Sequence, residues 1–143
     1  MIGQVFWTVL SGVLVFVIGQ LLVKFAIEPM HEYRKLCGEI ADALVFYANV
    51  TARYTGIQKE LLEEAQRTYR RLAGQLCARA HVIRLYPVWA FVRLVPRRKD
   101  LAQAASSLIG LSNNVFDQSV DGFKAKDKYR DDIKKLLDLE IGE

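Results

Sequence analysis

Ile2-Gly-Gln-Val-Phe-Trp-Thr-Val-Leu-Ser-Gly-Val-Leu-Val-Phe-Val-Ile-Gly-Gln-Leu-Leu-Val23 contains no Asp, Glu, Lys, Arg or His, and beyond Lys24 the apolar run resumes through Phe25-Ala-Ile27. The hydrocarbon core of a bilayer is about 30 Å thick and takes roughly 20 mainly apolar helical residues at about 1.5 Å each. A lone segment crosses it only as a helix, because no water is there to satisfy a free backbone donor or acceptor. Residues 2–27 therefore read as one transmembrane helix. A signal peptide would need a basic start and a small-residue cleavage site, and neither brackets this run. A buried core helix would be shorter and would carry a polar face.

Flanking charge orients the span. Lys24, Arg34 and Lys35 lie on its C-terminal side, and the N-terminal side has only the α-amino group. The positive-inside rule then sets Met1 outside and the rest of the chain in the cytoplasm, with Trp7 as an interfacial aromatic. Asn49-Val-Thr51 is a glycosylation sequon that this topology would keep unmodified.

Outward from the anchor, the 143-residue chain leaves room for one modest domain. Cys37 and Cys77, both on the cytoplasmic side of this reading, are expected as free thiols. The formal charge of +4 conceals a segregation: residues 65–99 carry nine Lys/Arg and no acid, whereas both flanks are mildly acidic. Strand patterns are almost absent. The expected fold is all-α: an anchor at 1–28, then a cytosolic bundle of four to five helices at 29–143.

Helical periodicity divides the bundle. A helix from Glu28-Pro29 to about Thr51 aligns Tyr33, Leu36, Cys37, Ile40, Leu44, Tyr47 and Ala48 on one face, either as a new helix or as a bent continuation of the anchor. A second, ending near His81, aligns Leu62, Ala65, Tyr69, Leu72, Ala73, Leu76 and Ala80. Two turns are expected between Pro87 and Leu94. Asp100 and Gln103 propose a capping box for the next helix, which runs to about Asp121 with Gly122 as its stop, although Asn113-Asn114 could split it. A last helix over about 124–139 should bury Tyr129, Ile133, Leu136 and Leu137.

Two constellations carry functional expectations. In the anchor, Gln4, Thr8, Ser11, Gly12 and Gly19 share a stripe about 100° wide, a pattern that favours close helix–helix approach in lipid. Self-association or docking on another membrane protein would use it. In the basic segment, Arg84, Trp89, Arg93, Arg97, Arg98 and Lys99 join amphipathic aromatics to cations, as lipid headgroups favour. The alternatives are that the aromatics are core, or that the cations meet nucleic acid, the weakest of the three.

Chemistry is otherwise sparse. Glu28-Pro-Met-His31 matches one E-x-x-H motif, but Ala78 precedes His81, so a di-iron site lacks its second half. His31 and Cys37 diverge by about 120° on their helix and so cannot join Cys77 and His81 around zinc. There is no nucleophile elbow or phosphate loop. No metal, cofactor, catalytic residue or small-molecule substrate is expected, and the chain reads as non-enzymatic.

Gly19-Gln-Leu-Leu-Val-Lys-Phe-Ala-Ile-Glu-Pro29, with Gly38-Glu-Ile40 and Tyr47-Ala-Asn49, resembles the start of uncharacterised small bacterial inner-membrane proteins. The resemblance covers about the first third of the chain. It implies a bacterial inner-membrane setting and no activity. The leading expectation is a membrane-anchored interaction protein. Behind it stand a membrane-perturbing effector of toxin or phage-defence type, and a tethered nucleic-acid binder.

Overall fold

A computed structural model describes residues 2–48, 59–83, 86, 90 and 95–139. These are all-helical, with no strand among the described residues. The elements are α1 (Ile2–Leu22), a π-helical turn (Val23–Ile27), α2 (Glu28–Phe46), α3 (Lys59–Val82), α4 (Arg98–Asn113) and α5 (Val120–Leu137). The turn expected between Pro87 and Leu94 lies outside the described residues, as do Arg84, Trp89 and Arg93.

From Gly3 to Phe46 the chain is helical without interruption for 44 residues. At about 1.5 Å per residue that is roughly 65 Å, twice what a bilayer core needs. The junction shows why Pro29 does not break it. Proline has no N–H to give to the carbonyl four residues back, and its ring crowds that carbonyl. The chain widens just before it: the Glu28 N–H bonds to the Val23 carbonyl five residues back, and Pro29 then opens α2. A π-turn absorbs the proline without a kinked gap.

The four helices α2–α5 run up, down, up and down. Glu32 pairs with Arg79 and the Tyr69 hydroxyl donates to the Ala43 carbonyl, so α2 and α3 are antiparallel. Arg70 reaches Ser112 and Asn113, which sets α3 against α4. Arg130 donates to the Ala48 carbonyl, bringing α5 back beside α2. Between them lies one core, with Ile40, Ala65, Tyr69, Leu76, Ala104, Leu108, Leu111 and Ile133 fully buried. Every member of the expected α3 face is buried except Ala80, which is half-buried.

Three helix ends differ from expectation. α4 begins at Arg98, and its N-cap Arg97 makes no side-chain capping bond. Asp100 therefore falls in the first turn rather than at the cap, because the chain leaves Pro96 extended and turns helical at once. α4 stops at Asn113 rather than near Asp121, at the Asn113-Asn114 pair where a split was the alternative. Gly122 is no stop: it lies in the first turn of α5, where its N–H bonds to the Ser119 hydroxyl. A Cβ there would meet the Asp117 carboxylate at 2.4 Å, so glycine answers a close approach, and α5 starts four residues earlier than its apolar pattern implied. Tyr129 and Leu136 are half-buried rather than core.

Candidate functional site

The antiparallel order gathers four separate pieces of chain at the end from which α1 departs. These are the start of α2, the end of α3, residues 95–100, and the end of α5. Two clefts confirm the grouping. One, of about 550 Å³, lies between the π-turn and α3, lined by Lys24, Phe25, Pro29, Ala78, Arg79 and Val82 among others. The other, of about 960 Å³, opens between α2, the start of α4 and the end of α5.

Charge separates the two ends of the bundle. At the α1 end, residues 24–37, 79–83, 95–100 and 133–139 hold nine Lys/Arg against four Asp/Glu. At the far end, residues 42–48, 59–64 and 110–124 hold two against six. Glu32, held below the usual carboxylate range by its hydrogen bond to Arg79, is one of the few acids at the basic end.

Of the six residues expected at lipid headgroups, Arg97, Arg98 and Lys99 are described, and all three are exposed at this end. Arg98 stacks on the Tyr86 ring, 5.0 Å from its centroid, and the Tyr86 hydroxyl donates to the Pro96 carbonyl. Burial of Tyr86 raises its pKa to about 12, so it stays a neutral donor. That buried tyrosine pins residues 95–98 and fixes where the cations stand. Sequence reasoning missed Lys134 and Lys135 as site members, although two lysines in the last turn of a helix were a readable signal. Arg67, Arg70 and Arg71 do not join the group. Arg71 lies 11 residues before the end of α3, about 16 Å along the helix, Arg70 is engaged by α4, and Arg67 faces Glu63.

The small-residue stripe of α1 lies wholly on an exposed surface. Gln4, Thr8, Ser11, Gly12 and Gly19 are exposed, and a Cβ placed on Gly12 or Gly19 would meet nothing within 4 Å. Thr8 donates to the Gln4 carbonyl and Ser11 to the Thr8 carbonyl, each at 2.9 Å. Both hydroxyls are thus satisfied within their own helix, and Gln4 is the stripe member with polar capacity left for a neighbour. The large apolar side chains of α1 from Val5 through Leu22 are equally bare, apart from half-buried Leu10.

Among the described residues, no group of three His, Cys, Asp or Glu side chains converges on a possible metal position. His81 directs Nδ1 at the Cys77 carbonyl, and both cysteines are free. Comparisons with family models, with curated proteins and with solved structures return no match.

Proposed function

We propose that the chain is a single-pass membrane protein whose α1 crosses a bacterial inner membrane with its N-terminus outside. Its cytoplasmic bundle stands with the basic end against the inner leaflet. It is a non-enzymatic interaction protein that works by self-association or by recruiting a partner at that surface. One observation carries the reading: an apolar helix with none of its most apolar window buried emerges from the one end of the bundle where cations are concentrated. An apolar helix without a protein partner needs an apolar solvent, and anionic headgroups beside it would draw Lys and Arg at about 1 kcal/mol each. The bacterial setting follows from the resemblance of the first third of the chain.

Cys77 offers the test. Its side chain is exposed on α3. A membrane-impermeant maleimide should leave it unlabelled in intact cells and label it once the inner membrane is opened, with the chain resisting carbonate extraction throughout. Labelling in intact cells would reverse the orientation. Release by carbonate would remove the anchor.

A further inference from the structure

The larger cleft at the α1 end shows how such a surface would do more than attract charge. Arg34 of α2, Arg97 at the start of α4 and Lys135 near the end of α5 line it, with Asp100 and Asp138 on the same walls. Despite those two acids, none of the three cations makes an ion pair or hydrogen bond among the described residues. The volume, about 960 Å³, falls within the range of small-molecule sites, roughly 300–1,000 Å³.

The start of α4 holds three cations beside a single acid, Asp100 in its first turn. A helix N-terminus carries partial positive charge from its unpaired N–H groups and prefers acids nearby. Here Arg97, Arg98 and Lys99 occupy that end, and no side chain caps it. Of these, Arg97 lines the cleft, and the uncapped N–H groups that follow it add backbone donors for an anion. A second observation points the same way. Tyr33 lines the cleft at 3% exposure, and its hydroxyl makes no hydrogen bond of ordinary geometry; its polar neighbours are the Cys37 thiol and the Tyr86 hydroxyl.

We infer that this cleft is a discrete site for a phosphate-bearing anion, with Arg34, Arg97 and Lys135 as its cationic contacts and an anionic phospholipid headgroup as its ligand. The inference rests on α1 as a membrane anchor, which puts the cleft at headgroup level. A smeared basic surface responds to total charge. A built site binds one equivalent and depends on particular residues.

The test is a titration of the full chain in neutral detergent with dihexanoyl phosphatidic acid, dihexanoyl phosphatidylcholine and inorganic phosphate. One saturable equivalent of the phosphatidic acid is expected, with no saturation by the choline lipid. R34Q/R97Q/K135Q should weaken it roughly tenfold or more, as loss of charge-assisted hydrogen bonds does. K24Q/K35Q/K128Q, equal in charge and exposed outside both the cleft lining and the start of α4, should stay within about twofold of the parent on the same grounds. Should the cleft triple lose helicity, R97Q and Y33F singly replace it, each expected to weaken binding several-fold. Equal losses in both triples, or no saturation, would overturn the site. Saturation by inorganic phosphate at the affinity of the lipid would overturn the headgroup as ligand. Carbonate release of the chain would instead defeat the anchor, whatever the titration reads.

Discussion

α1 and α3 are of nearly equal length, 21 and 24 residues, and spend their apolar side chains in opposite ways. α3 confines Leu62, Ala65, Tyr69, Leu72, Ala73 and Leu76 to one stripe, and every one is buried. α1 carries no charged side chain, and Val5, Phe6, Trp7, Val9, Val13, Leu14 and Phe16 are more than half exposed. A buried stripe describes a helix whose partner is protein; bare apolar side chains on an uncharged helix are the kind that an apolar solvent would cover. The two meet at one place, where the π-turn and Glu32 lie beside Arg79 and Val82. There the bare apolar helix gives way to the packed bundle, and there the cations collect.

The largest effect should separate the helices by stability. Leu76→Ala removes a fully buried side chain of α3 and should cost about 2–5 kcal/mol of bundle stability. Leu14→Ala removes a side chain with no protein neighbours to lose and should leave the denaturation midpoint of the bundle unchanged. Chemical denaturation in detergent, followed through helicity, measures both. A comparable loss at Leu14 would mean that α1 packs on protein.

Charge placed in the middle of α1 comes next. Leu14→Arg should disfavour membrane insertion by about 2.5–3.5 kcal/mol and shift the chain toward the soluble fraction. The same change at exposed Gly74 on α3 should not move the chain between fractions. Fractionation with carbonate extraction decides between them.

Neutralising Arg97, Arg98 and Lys99 together should remove up to about 3 kcal/mol of attraction to anionic vesicles, and less in high salt. Neutralising Arg67, Arg71 and Lys128 changes the net charge equally, away from the basic end, and should remove much less. Vesicle co-sedimentation at low and physiological salt reads the difference. Equal losses would make net charge, rather than the basic end, the determinant.

How far the sequence carried these conclusions varies with the reach of each signal. The long apolar helix α1 and the α3 face were legible because an uncharged run and a helical stripe are both signals local to one helix. The antiparallel order was not, because Glu32–Arg79 and Arg130–Ala48 join residues 47 and 82 positions apart. For the same reason the basic segment was read as a linear run of nine cations. The fold keeps its last three at the α1 end, adds Arg34 and Lys135 from elsewhere, and leaves Arg67 and Arg71 well up the bundle. Gly122 looked like a stop because glycine often is one; the actual constraint, the Asp117 carboxylate, comes from packing within the α4–α5 turn.

The smallest effect concerns the ion pair that ties α2 to the end of α3. Arg79 lies against Glu32 with both side chains partly exposed, so solvent and salt screen the pair. The hydrogen bond and charge of Arg79 hold the Glu32 carboxyl below its ordinary range. A carboxyl lowered in the folded state contributes stability that is present above its unfolded pKa, about 4.3, and is lost as pH falls through the lower folded value. Glu32→Gln should therefore lower the denaturation midpoint slightly at neutral pH, with the gap to the parent closing as the solution is acidified through and below the ordinary carboxylate range. High salt at neutral pH should narrow the same gap. A gap that survives both acid and salt would have to come from packing of the side chain at the α2–α3 junction, and the ion pair would then contribute nothing to joining α2 to the rest of the bundle.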